Sequence, residues 1–327
     1  MFVRVEAAQH LQRGRWENGF MADGRTRRMH AVPRSYFDAF AVHEPGRRAS
    51  RVWRFDRIFG ESKLVGVGDT EVVKDIYAVF SDDGTPDTAI EDDMLCGIED
   101  AFCSARSALL NRTPLSKDHW IALARFVAAQ LLRTPRFLQL VRDGLDADGT
   151  VYERDTPQRV MVVLIERWVP RLLRMTGIIA RNETGFPLLT SDNPAVLWKQ
   201  SRLGDGFMCG VDQYDPDLVV SCPLGPTLMF AAYQTPQSLN STWAERRDVE
   251  SCVKQSRSFA TRIAYTQLTP PEVKRFNNVC ISNANNYIYA NYCDGTVLRF
   301  LQNRFFGAPA PVRRRDLRPI GSPPAEL

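Results

Sequence analysis

Histidine is scarce in this chain, with four in 327 residues at positions 10, 30, 43 and 119, and only six of its 42 basic residues are lysine. Seven cysteines stand far apart with no Cys-x-x-Cys pair, which excludes a disulfide framework and a structural zinc site. Two of them lie in the apolar runs VVSCPLG and NNVCIS, where a thiol behaves as a small hydrophobe. No apolar run approaches the roughly eighteen residues of a membrane span, and the N-terminal MFVRVEAAQHLQRGRWENGF lacks the apolar centre of a signal peptide. A cytoplasmic protein with no membrane association is therefore expected. A glycine-rich phosphate loop and a dinucleotide fingerprint are missing too.

What is present is a globular composition, 44% hydrophobic, enough to bury a sizeable core. Residues 1–57 carry twelve Arg against six Asp or Glu, whereas residues 69–100 carry eleven Asp or Glu and one Lys. The arginine excess suits an anionic substrate, because the planar guanidinium matches phosphate and carboxylate; it suits an ordinary solvated surface equally well. The two oppositely charged segments can also match each other within the chain.

Residues 1–28 read as a weakly ordered extension, 29–307 as one domain and the proline-rich 308–327 as a disordered tail. HAVPRSYFDAFA predicts a short helix over His30–Ala41 with Pro33 in its first turn. RVWRFDR and KDIYAVFS alternate as strands do. A helix is predicted from Asp92 to Leu110, a second after the Ser116 cap with the stripe Trp120, Leu123, Ala124, Val127 and Leu131, and a third over 151–175. The short runs GIIARNE, FPLLTS, AVLW, DLVVSC and TLMFAAY follow closely enough to pair antiparallel. A last helix from Pro271 to about Asn286 leads into YIYAN. The class is α+β, with several helices packed on a mainly antiparallel sheet.

Candidate chemistry lies where polar residues interrupt apolar ones. Gln130 falls on or beside the buried stripe of its helix and Arg133 follows by three, in QLLRTPRF. A helix running through Pro135 would leave the Leu131 carbonyl without its donor. His30 is expected just before a helix N-terminus, where the dipole favours the neutral imidazole; His10, His43 and His119 have no comparable context. Glu91, Asp92 and Glu99 group near one helix face and are the type of oxygen ligand that holds Mg²⁺ or Mn²⁺, although solvated acidic faces look the same. In LLTSDNPAVLW, Ser191, Asp192 and Asn193 form either an Asx-turn or part of a site held on a loop.

These stretches resemble, in order, the motifs of the bacterial family known as domain of unknown function 4238. HAVPRSYFDAF is similar to its His-x-x-Pro signature and ARFVAAQLLRTPRF to its Gln-x-x-Arg-x-Pro-Arg helix. LLTSDNPAVLW matches its Ser-Asp-Asn-Pro motif, and FNNVCISNANNYIYA its closing helix and strand. The likeness runs from about Met29 to Asn291. It implies a mixed α/β domain without an established activity, and marks His30, Gln130, Arg133, Ser191, Asp192, Asn193 and Asn277 as motif positions. One expectation is a hydrolase of a phosphodiester or other anionic substrate, with His30 as general base and Asp192 orienting it or holding a metal. Gln130, Arg133, Ser191, Asn193 and Asn277 would then bind the substrate. The alternative is a non-catalytic protein that binds nucleic acid or another ligand through its Arg-rich N-terminal region.

Overall fold

The patterns resolve into seven helices and thirteen strands among the described residues of a computed structural model, which are 28–42, 50–80, 85–199, 215–234 and 263–305. The extension predicted at 1–28, apart from Arg28, and the tail at 308–327 lie outside them. In chain order the elements begin with β1 (Arg28–His30), the single-turn helix α1 (Arg34–Phe37) with a 3-10 turn (Asp38–Phe40), β2 (Arg51–Asp56) and β3 (Ser62–Gly66). They continue with β4 (Val72–Lys74), β5 (Val79–Phe80), β6 (Pro86–Asp87), a π-turn (Ile90–Leu95) leading into α2 (Cys96–Leu110), and α3 (Lys117–Leu132). Next are α4 (Pro135–Ala147), α5 (Thr156–Arg174), β7 (Thr176–Arg181), β8 (Thr190–Ser191), β9 (Val196–Lys199), β10 (Leu218–Gly225) and β11 (Leu228–Tyr233). The chain closes with β12 (Ile263–Gln267), α6 (Pro270–Asn283), β13 (Tyr287–Ala290) and α7 (Gly295–Phe305).

Local chemistry explains the boundaries. Ser116 Oγ accepts the N–H of His119, and the His119 ring Nδ1 accepts the N–H of Ser116, so the scarce histidine is half of a reciprocal cap on α3. The helix predicted over His30–Ala41 is shorter, because Pro33 biases Val32 to extended backbone and His30 instead ends β1. No helix runs through Pro135. Thr134 Oγ1 accepts the N–H of Phe137 at 3.3 Å and Pro135 fills the first turn, so α4 starts where the sequence pointed only to an ending. KDIYAVFS is not one strand: Asp75, at φ 50°, turns the chain between β4 and β5.

A five-stranded sheet runs β12-β7-β11-β10-β9, antiparallel except for the parallel pair β12–β7, and a four-stranded antiparallel sheet runs β3-β2-β13-β8. Strand β10 is buried along its whole length because both faces of its sheet are covered. Leu218, Val220, Cys222 and Leu224 enter the core shared with α2, α3 and α5, whereas Val219 faces the other way, into the core closed by Val273, Phe276 and Val279 of α6. The far end of α6 packs Cys280 and Ile281 against Phe55 of β2 and Ile288 of β13, with α7 closing that side. Helix α6 thereby bridges both sheets. All five cysteines among the described residues are free thiols. No helix among the described residues is long and apolar enough to cross a membrane.

Candidate functional site

Strand β1 pairs with β4 so that Met29 faces Val73 and His30 faces Val72, while the Ala31 N–H donates to the Glu71 carbonyl at 2.8 Å. Hydrogen-bonded and non-bonded pairs alternate in an antiparallel ladder, so the N–H and C=O of His30 point away from β4. Two side chains meet them. Arg133 Nη2 donates to the His30 carbonyl at 2.7 Å, and the Glu91 carboxylate stands near enough to the His30 N–H to be stabilised by it.

Arg133 can do this because it is the residue on which α3 stops. Its carbonyl accepts the Tyr77 hydroxyl at 2.6 Å, its Nε donates back to that oxygen at 3.2 Å, and Nη1 reaches Glu99 at 2.7 Å, with Glu91 at 3.5 Å from Nη2. The guanidinium is 1% exposed. Burial alone would depress its pKa, but Tyr77, Glu99 and Glu91 hold it above the ordinary range. Burial pushes Glu91 up to about 7, helped by Glu99 and opposed by Arg133 and by the His30 N–H. Of the three carboxylates expected to group for a metal, Glu91 and Glu99 therefore face a cation of the protein itself, and Asp92 accepts the Thr88 hydroxyl. Among the described residues no three His, Cys, Asp or Glu lie together as a metal-holding group.

The His30 ring is partly buried and its Nδ1 lies 3.1 Å from the Thr70 carbonyl. A carbonyl only accepts, so Nδ1 carries the proton of the neutral ring and the Nε2 lone pair is left over. No hydrogen bond to Nε2 occurs among the described residues. The helix-dipole role expected for His30 is replaced by this carbonyl contact, since the next helix is one turn long and starts at Arg34.

The SDNP segment makes a second polar knot. Strand β8 pairs with β13, bringing Asp192 to the turn after α6, where Oδ1 accepts the N–H of Asn285 at 2.7 Å and Oδ2 those of Asn286 at 2.6 Å and Tyr287 at 3.1 Å. An Asx-turn would bond locally; this carboxylate reaches more than ninety residues along the chain. Ser191 Oγ closes the loop on Asn193, and Asn193 Nδ2 donates to the Asn283 carbonyl at 2.9 Å. Asn277 holds the approach to the motif, accepting the Leu189 N–H at 2.8 Å and donating to the Pro187 carbonyl at 2.9 Å. Burial, and then the nearby Glu71 carboxylate, push Asp192 up to about 7 against the pull of its three N–H donors.

No hydrogen bond joins His30 to Asp192 among the described residues. The residue that touches both surroundings is Glu71, which the sequence did not single out. It is 4% exposed and sits at φ 53°, left-handed backbone that costs a non-glycine residue about 1–2 kcal/mol. Its carbonyl holds Ala31, the carbonyl before it holds the His30 ring, and its carboxylate accepts the Tyr289 hydroxyl from β13. The sequence signal is faint, since VGDTE reads as any turn.

Gln130 stands apart. It is fully buried on α3, on the face that carries Phe126 and Arg133, and neither its amide nitrogen nor its oxygen has a partner. Unpartnered buried polar groups cost about 1–3 kcal/mol each, and natural structures keep few of them. The small recess between α3, α5, β7 and β11, lined by Trp120, Leu123, Leu172, Met175 and Phe230, is apolar and holds none of the motif residues.

A family model described as "Protein of unknown function (DUF4238)" matches residues 28–293. No curated protein and no solved structure matches the chain.

Proposed function

Because the chain belongs to the DUF4238 family, and His30 and Arg133 stand in the first knot and Ser191, Asp192 and Asn193 in the second, we propose that it is an enzyme of hydrolase type with His30 as its general base. The observation that carries this reading is the orientation of one ring: Nδ1–H is fixed on the Thr70 carbonyl and Nε2 is left unbonded on a partly exposed side chain. Such a nitrogen takes a proton from water as the water attacks an electrophilic centre, and the carbonyl stabilises the Nδ1–H of the imidazolium that forms.

Gln130, with an unused donor and acceptor, is the substrate-binding group in this reading. Asp192, Ser191, Asn193 and Asn277 hold the turn after α6 and the segment leading into it, and Glu71 is the residue that lies near both Asp192 and His30. Arg133 already faces Glu91 and Glu99, so a phosphodiester would meet two carboxylates before any unanswered cation. A neutral ester or amide fits better, and an anionic substrate would need Mg²⁺ or Mn²⁺ beside it.

The test is a panel of chromogenic esters, amides and phosphodiesters, each with and without Mg²⁺ or Mn²⁺. Turnover that disappears in His30→Gln at an unchanged melting temperature supports the reading. Turnover indifferent to that substitution overturns it. So does a chain that hydrolyses nothing and instead binds nucleic acid with an affinity falling steeply in salt.

A further inference from the structure

We infer that Glu71 is the positioning residue of His30: its left-handed turn, tethered by Tyr289, aims the Thr70 carbonyl at Nδ1 and so decides which ring nitrogen is the base. The inference rests on the reading of His30 as a base, but its geometry stands independently of any substrate.

The direction of a carbonyl is set by the torsions on either side of its peptide plane. Thr70 itself is extended, at φ −90° and ψ 132°, and its hydroxyl donates to the Gly66 carbonyl at 2.8 Å. Glu71 then enters the left-handed region before β4 resumes extended backbone. That reversal turns the peptide between residues 70 and 71 so that one carbonyl reaches the His30 ring while the next reaches the Ala31 N–H. A glycine adopts this conformation without cost, whereas a glutamate does so only when its surroundings hold it there. The hold is on the side chain: the Tyr289 hydroxyl donates to the Glu71 carboxylate, both residues being nearly or fully buried. Tyr289 is itself fixed by its pairing with Arg54 and Thr190 in the four-stranded sheet and by edge contact with the Phe37 ring, 4.7 Å between centroids. The tautomer of a ring at the end of a two-stranded ladder is thus referred to a separate sheet.

If the Thr70 carbonyl swings away, Nδ1 loses its acceptor and the neutral ring divides between its two tautomers. Only one of them presents a lone pair at Nε2.

The test is long-range ¹H–¹⁵N correlation of the imidazole signals in the full chain at alkaline pH, with the His30 signals identified by their loss in His30→Gln. The parent should show His30 in the Nδ1–H form. Glu71→Gly, which relieves the backbone but cuts the tether, and Tyr289→Phe, which removes only the hydroxyl, should both give a mixture with the Nε2–H form. Glu71→Gln, which still accepts from Tyr289, should shift it less. A His30 that remains wholly Nδ1–H in the folded Glu71→Gly and Tyr289→Phe proteins overturns the inference, as does a parent that is already mixed. The tautomer shift without turnover on any substrate would sink the hydrolase reading and leave the positioning role standing. Turnover with an unmoved tautomer would do the reverse.

Discussion

Arg133 completes the edge of His30: its Nη2 donates to the His30 carbonyl at 2.7 Å, so that a side chain stands where a neighbouring strand would. With the Glu91 carboxylate near the His30 N–H, an ion pair flanks the edge that a third strand would occupy. Substituting Arg133→Ala leaves Glu91 and Glu99 facing each other and the His30 carbonyl bare, a loss on the order of 3 kcal/mol. Arg133→Lys should recover little, because one ammonium cannot serve the forked set of partners. Urea unfolding of the two variants measures this, and a loss below about 1 kcal/mol in Arg133→Ala would mean that the network is ornamental to stability.

Stability should fall as pH rises from about 4 toward 7. Asp192 and Glu91 both have folded-state values raised to about 7, so each favours folding most when protonated in the native state. That advantage is full below the unfolded value of about 4 and is lost as pH passes through the folded one. Removing the second carboxylate with Glu71→Gln lowers Asp192 and should flatten part of the slope. Glu91→Gln should flatten another part. Urea midpoints across this range decide the matter, and a parent curve that rises instead would contradict the sign.

Asn277 donates and accepts within one buried side chain. Asn277→Ala should cost about 2–4 kcal/mol, since a backbone N–H and a carbonyl both lose their partner in the interior. Asn277→Asp should be worse, because a carboxylate would oppose the Pro187 carbonyl. A milder effect for Asp than for Ala in thermal unfolding would rule out this account.

Gln130 should behave in the opposite way. Exchanging it for methionine, of similar length, removes two unpartnered polar atoms and should raise stability by about 1 kcal/mol, equivalent to roughly 2–4 °C in a large domain. If Gln130 binds substrate, turnover falls in the same protein, a trade of activity against stability. A lower melting temperature in Gln130→Met would mean that the amide has partners in solution.

The elements that were legible in the sequence are those whose cause is local. The Ser116 cap, the stripe on α3, the alternation in β2 and the closely spaced apolar runs of β7, β10 and β11 each depend on residues a few positions apart, and the family motifs placed seven polar residues in or beside buried surroundings. The surroundings themselves were not legible. Asp192 reads in the sequence as either a turn residue or part of a site, because nothing in SDNP announces three N–H donors beyond position 284. Pro135 reads in the sequence as lying near the end of one helix, because its role as the start of the next depends on Thr134 reaching Phe137. Glu71 was invisible because its importance lies in a backbone torsion and in a tyrosine 218 residues away.

That span has a consequence for how the chain is made. Tyr36 meets Thr190 across 154 residues, Asp192 meets Asn285 across 93, and β2 finds its inner neighbour only in β13. During synthesis the SDNP segment emerges before its partners at Asn285, Asn286 and Tyr287, and Glu71 long before Tyr289, so neither the SDNP knot nor the Glu71 tether can close until the ribosome has passed these residues. Folding is therefore an act of ring closure made late, with the entropy of long loops to overcome. A nascent chain halted after α5 would have its helices available but Glu71 without its tether and Phe55 without the neighbours that bury it, a state that chaperones and proteases recognise.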